Sequence, residues 1–264
     1  MTRTPAAAGA VEEFVARLKD GPVGPVGGSR SVGAGLQPTA WLIQMAASLF
    51  GGQDSDPAGA WVRRLHAGLG RLGGQVPFWV VHDWHAHTVA PLLTQASVRC
   101  GADGEAQEGV RRLHSRALAG ERVTETEWAR ALEPALAEVY RRAYPYADAH
   151  AAASASAHAY AMDNDYGEER AAEFASVYAE LNTDANARSF AGANALANAR
   201  ALAAAFAAAD EHALADAYPF AYVHACALAV ARADDAGEEW PGRYRAACER
   251  LADGLADSVG RVAS

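Results

Sequence analysis

The sequence predicts an all-α protein, a compact multi-helix bundle whose C-terminal half consists of alanine-rich, closely packed helices. Three observations carry this expectation. Between positions 143 and 233, 37 of 91 residues are alanine, the best helix former. Apolar residues elsewhere recur at three- and four-residue spacing, as in Val11, Phe14, Val15 and Leu18. No segment shows a convincing period-two strand pattern.

The elements follow in order. Val11 to Lys19 reads as a short amphipathic helix. Residues 21–35 are dominated by glycine and proline and form a loop or linker. They lack the GK[ST] ending of a phosphate loop. A mobile 1–35 segment and a single all-α domain over 36–264 are therefore expected. Helices are predicted from Pro38 to Phe50, from Trp61 to Leu72 and from Pro77 to about Arg99, with Pro77 tolerated in a first turn. Another spans Ala106 to Leu118. Thr124 with Glu127 forms a capping box that starts a long helix toward Met162, kinked or broken at Pro134 and Pro145. Asp165 with Glu168 reads as a second capping box, opening a helix to about Leu181. Thr183 or Asp184 then opens one to about Ala217, Pro219 opens another, and Asp235 with Glu238 caps the last. Tyr144-Pro145 to His150 echoes Tyr218-Pro219 to His224, the pattern of two similar helical hairpins.

Composition excludes several classes. Net charge is −9 and no basic patch is present, which argues against nucleic acid and anionic membranes as partners. Cys100, Cys226 and Cys248 are widely spaced, without a CxxC pair, so neither a disulfide framework nor a zinc ribbon is expected. The first residues carry no apolar leader and the longest apolar run is short of a membrane span. The expectation is a cytoplasmic protein. One lysine against many arginines, with abundant alanine and glycine, is the usage of a high-GC, bacterial genome.

Three groups of residues are candidates for chemistry. The first is Trp79 to His87, which holds His82, Asp83, His85 and His87. At about 100° per residue, His82 and His85 lie about 60° apart and Asp83 and His87 about 40° apart, on different sides of a helix. Trp79, Ala86, Val89, Ala90 and Leu93 cluster around His82, so His82 faces the core, while Asp83 and His87 can form an i, i+4 hydrogen bond. His82 and Asp83 are candidate catalytic groups, and His82 with His85 candidate ligands of a divalent metal, the one cofactor this reading admits.

The second group is a stripe on the 135–162 helix, where Tyr140, Tyr144, Ala147, His150, Ser154 and His158 share a face. His150 and His158 are candidate acids or bases, and Tyr140, Tyr144 and Ser154 candidate ligand-binding walls. The third lies on the 184–216 helix, where Asn194, Asn198, Ala201, Ala205 and His212 share a face with Asn186 at its edge. Asparagine is a poor mid-helix residue, so a compensating hydrogen-bonded layer against His150, Ser154 and His158, or a ligand, is expected there.

Two partial resemblances rest on these segments. Val80-Val-His-Asp-Trp84 resembles the ligand helix of HD-type phosphohydrolases, which would also need His66 upstream and Asp163 or Asp165 downstream; the spacing from His66 is short for that family. Asp234 to Glu239 and Asp163 to Glu169 resemble the aspartate-rich motifs of class I terpene cyclases, in reversed order. Both stretches also read as helix N-caps. The sequence thus leads to a small-molecule-binding all-α protein, in its sharper form a metal-dependent enzyme with a His/Tyr/Asn-lined pocket. The alternative is a non-catalytic interaction, immunity or scaffold protein. A homodimer is compatible with either.

Overall fold

In a computed structural model the chain is described over residues 5–19, 39–144, 146–234 and 239–263, and no strand occurs among them. Among the described residues, twelve α-helices and one π-helical turn follow one another. They are α1 (Pro5–Lys19), α2 (Ala40–Gly51), α3 (Ser55–Arg71), α4 (Trp79–Trp84), the π-turn (His85–Val89), α5 (Ala90–Arg99), α6 (Glu105–Leu118), α7 (Glu125–Ala143), α8 (Tyr146–Asp163), α9 (Glu168–Ala208), α10 (Glu211–Asp216), α11 (Pro219–Arg232) and α12 (Trp240–Val262). No described helix is long and apolar enough to cross a membrane. The Asp235–Glu238 cap, the 21–35 loop and the break expected at Pro145 lie outside the described residues.

The body is organised around α12, which packs against α2, α3, α4, the π-turn and α11. Its buried face, Ala247, Cys248, Leu251, Ala252, Leu255 and Val259, follows three- and four-residue spacing. Two buried tryptophans tie other helices to it: Trp61 Nε1 donates to Ala252 O at 2.7 Å and Trp84 Nε1 to Leu251 O at 2.9 Å. Both rings bury a large apolar body while their N–H groups stay satisfied. Trp41, Leu42, Met45, Leu65 and Leu69 complete this core, and α1 packs on it through Phe14 and Leu18.

Several elements differ from their sequence-based expectation. The 77–99 helix is interrupted by the π-turn. Pro91 sits at the start of α5 and cannot donate a backbone bond to residue 87, so the turn before it widens. Trp79, the first residue of α4, is exposed rather than core-facing, and Val80, Val81 and Trp84 fill the interior instead. Pro134 does not break α7, because it lies on the exposed side, where the freed carbonyl meets solvent. The Thr124–Glu127 capping box forms in full. Asp165 does not cap α9: it lies at φ +59°, inside the turn, and Gly167 takes the N-cap position at φ +78°.

Helix α9 runs 41 residues without the expected break near Thr183. Asn182 is accommodated by donating to Tyr178 O at 2.9 Å, and Thr183 is buried in a helix–helix seam. The helix ends at Ala208, earlier than expected, because Ala209 turns left-handed at φ +50° and the Asp210 carboxylate accepts from His212 N and Ala213 N to start α10.

At Gly254 α12 packs close against Thr88 of the π-turn. A Cβ there would stand 2.2 Å from Thr88 Oγ1, whereas one at Gly260 would meet nothing within 4 Å. Gly254→Ala is expected to cost about 1–3 kcal/mol by overpacking. Gly260→Ala should be neutral or stabilising by up to about 1 kcal/mol. Denaturant unfolding of the two variants checks the contrast; equal stabilities would contradict this packing.

Candidate functional site

The first group of sequence candidates meets a residue from another helix. His82 from α4, His85 from the π-turn and His114 from α6 form one buried cluster. His82 Nδ1 and His114 Nδ1 lie 3.0 Å apart, so one donates and the other accepts. The His85 ring stacks on His114 at 4.5 Å, and Tyr222 stacks on its other side at 5.7 Å. Trp128 lies parallel to His82, and Phe206 sets its ring edge-on to all three imidazoles at 5.0–5.8 Å.

His85 Nδ1 is 2.7 Å from Val81 O, and a carbonyl only accepts, so this nitrogen carries the proton and Nε2 presents a lone pair. The Nε2 atoms of His85 and His114 are buried without a hydrogen-bond partner. Burial disfavours the charged imidazolium. It lowers His82 and His85 to about 4, and it holds His114 well below the usual histidine range, with its two imidazole neighbours adding to the effect. The cluster is thus three neutral rings at neutral pH. Groups so weakly basic are poorly matched to general acid–base work near pH 7. Of the metal candidates, His82 Nδ1 is engaged by His114 and His85 Nδ1 by the Val81 carbonyl, which leaves only their Nε2 atoms. Among the described residues no group of three or more histidine, cysteine, aspartate or glutamate side chains could hold a metal ion.

Asp83 faces away from this cluster. Its carboxylate accepts from Arg261 Nε at 3.0 Å and also from Arg261 Nη2, and it meets His87 Nδ1 at 3.1 Å, the expected i, i+4 contact. Burial opposes the charge on Asp83, but the bonds from Arg261 and Ser258 and the charge of Arg261 outweigh it, so its carboxyl lies below the usual range. The contact fastens the end of α12 to α4.

The other candidates do not join His82 in one pocket. Tyr140 is buried, and its hydroxyl accepts from Asn198 Nδ2 at 2.8 Å; Tyr144 stacks on Tyr140. For Asn198 the compensation therefore comes from α7. Asn198 also donates to the Asn194 carbonyl, one turn back. His212 does not share their face, because α9 ends before it; it lies exposed on α10. His150, Ser154 and His158 line an open surface groove with alanines of α8 and α9, and His158 Nε2 lies 3.2 Å from Glu168 Oε1. The side chains of Ala147 and Asn186 lie outside the described residues.

The residues that the two resemblances require also lie apart. His66 meets Phe14 at 5.9 Å, Asp163 and Asp165 are exposed at the α8–α9 turn, and Asp234 pairs with Arg99 and Arg250.

A feature that the sequence reading missed is the form of α8 with the first half of α9. The continuous core reaches Ala143 and Tyr144 and resumes at Ala191. Between them, the buried side chains among the described residues are Ala157 and Ala161 of α8 and Ala171, Ala175, Ala179 and Thr183 of α9. These form the seam between the two helices, and α9 is the main packing partner of α8. The pair is an arm about 27 Å long, from 18 residues at about 1.5 Å rise. Its open face carries large apolar groups. Phe174, Val177, Tyr178 and Leu181 fall at i, i+3, i+4 and i+7, the spacing of a face that meets another helix, yet Leu181 is 75% exposed and Val177 50%. Tyr160 and Tyr166 extend this face, with Phe174 at 6.2 and 5.8 Å from their rings, and Tyr178 lies 6.1 Å from Phe174.

His114 could have been found from sequence, since Gln107, Val110 and His114 recur at i, i+3 and i+7 and are the buried face of α6. Compared with family models, curated proteins and solved structures, the chain matches none.

The buried histidines make stability depend on pH. Their folded-state values lie below the ordinary value of about 6.5, so the unfolded chain takes up protons first as pH falls. Stability is therefore unaffected above about pH 6.5 and declines between there and about pH 4, by roughly 3 kcal/mol each for His82 and His85. Urea unfolding at stepped pH checks this. His114→Phe should flatten the slope, and an unchanged slope would contradict the neutral cluster.

Proposed function

We propose that this protein is a non-catalytic helical interaction protein, with the body as an anchor and the α8–α9 arm as its docking element. The observation that carries the reading is the open apolar face at Phe174, Val177, Tyr178 and Leu181, on an arm that lies outside the continuous core. Contiguous exposed apolar groups rimmed by polar residues mark interaction sites more often than they occur idly. Anchors at i, i+3, i+4 and i+7 are also the pattern by which helices recognise grooves or other helices. The neutral, enclosed histidines support the same reading from the other side. They serve packing: the cluster seats α4, α6, α7 and α9 on one another through His82, His114, Trp128 and Phe206.

A photo-crosslinking amino acid placed at Leu181, and for comparison at Val98, an exposed site on the body, tests the proposal in the native cell. A discrete adduct at position 181 that is absent at position 98 is the expected result. No adduct at 181, or the same ladder at both positions, would refute it. Val177→Asp with Leu181→Asp should shift stability by no more than about 0.5 kcal/mol, as surface changes do, while removing the contact.

A second reading, a small-molecule-binding protein, draws on the unpartnered, buried Nε2 atoms of His85 and His114. Buried polar atoms normally find a partner, and a bound molecule would supply one. Native mass spectrometry of the protein from its own host decides this. A stoichiometric bound mass that disappears in His114→Leu supports the reading, and a bare polypeptide mass counts against it.

A further inference from the structure

We infer that the occupant of the arm is a basic amphipathic helix, which lies along α9 beside α8 and completes a three-helix bundle. The inference rests on the docking role proposed above and adds the chemistry of the partner.

The geometry of α9 points to a helix. Its alanine face, Ala171, Ala175 and Ala179, is already occupied by α8. The second face, from Phe174 through Val177 and Tyr178 to Leu181, spans an arc of about 100° at about 100° per residue. It is adjacent to α8, so a helix placed there would touch both members of the arm. Tyr160 of α8, 59% exposed and within ring contact of Phe174, supplies the contact from that side.

Charge selects the kind of helix. Glu169, Glu173 and Glu180 fall within an arc of about 40° next to the apolar face, on the side away from α8. All three are exposed. Over residues 145–190 there are eight aspartates and glutamates against two arginines, a net −6 out of −9 for the whole chain. Two thirds of the excess charge thus sits on the arm. A second copy would bring the same acidic row against itself, which like-charge repulsion disfavours. A helix with leucine-type residues on one side and lysine or arginine at its flank would cover the apolar face and pair with the glutamate row, as e and g charges do in coiled coils.

The test uses the full chain and three synthetic peptides of roughly 20 residues, long enough to fold against the arm. One has leucines on one face and lysines on the other. One keeps the leucine face and carries glutamates. One has the composition of the first with its leucines scattered. Binding is read by fluorescence anisotropy, and circular dichroism confirms that each protein variant is folded. The leucine–lysine peptide is expected to bind, to weaken about thirtyfold on Val177→Asp with Leu181→Asp, and to weaken between about 0.05 M and about 0.5 M salt. Glu173→Gln with Glu180→Gln should weaken it without abolishing it, and the other two peptides should bind far more weakly.

If the leucine–glutamate peptide binds equally well, the arm docks helices but does not select a basic one, and this inference falls while the docking role stands. If the scattered peptide binds equally well, attraction is bulk charge and no helical face is read, which also overturns the inference. Absence of binding by all three overturns it too. So does a sedimentation profile in which the wild-type protein is a dimer that Leu181→Asp dissociates, which makes a second copy the occupant.

Discussion

The long helix α9 depends on one repeated small contact. Every fourth residue from Ala171 to Ala203 is buried where its side chain is described: Ala171, Ala175, Ala179, Thr183, Ala191, Ala195, Ala199 and Ala203. A row at four-residue spacing is inclined to the helix axis by about 26°, so it winds around the helix as it advances. No single straight helix can stay on such a row for 41 residues. Two helices follow it instead, α8 along the first half and α7 along the second. Alanine suits this seam because it loses no rotamer freedom on burial and lets backbones approach closely.

The same economy explains why the arm is open. Each buried methyl contributes only about 0.8 kcal/mol, so a seam of alanines holds two helices together without needing large side chains. Phe174, Val177, Tyr178 and Leu181 are therefore left on a different face from the one that binds α8. In the second half of α9 the large residues point inward, where Leu202 is buried in the core and Phe206 packs on the three histidines. One helix thus has its large groups in the core at one end and in solvent at the other.

How far this was legible in sequence follows from what each signal measures. Alanine density and capping chemistry give helix content directly, and Thr124 with Glu127 gives a true start because both halves of its box are local. Asp165 with Glu168 has the same spelling and fails, because Gly167 supplies the turn by taking a positive φ. The stripe of Tyr140, Tyr144, His150, Ser154 and His158 was traced on one helix, but α7 ends at Ala143 and α8 begins at Tyr146, so the tyrosines stay with the body while the histidines go to the arm. The histidine cluster needed His114, which sits 32 residues from His82 and meets it only through packing of α4 on α6. The apolar face of α9 was hidden by the expectation of a break at Thr183. Asparagine and threonine are weak helix formers in isolation, and burial against α8 overrides that preference.

The body and the arm are connected by the way α9 is held. Asn198 is tied to Tyr140, Phe206 is set among His82, His85 and His114, and Asp210 starts the next helix, so the last turns of α9 are fixed by a hydrogen bond, a ring cluster and a cap. The first turns share that same unbroken helix and inherit its direction. A docking face carried on a helix already formed avoids most of the ordering cost that a disordered segment meets on binding. The neutral histidines are part of that anchoring. They fill the site with flat rings that stack on Trp128 and Tyr222 and meet Phe206 edge-on, and they remain uncharged because no carboxylate lies among the ring contacts to offset desolvation. Under the proposed docking role, the site that first attracts a chemical reading is the fixed end of the lever, and the alanine-rich segment beyond it the working end.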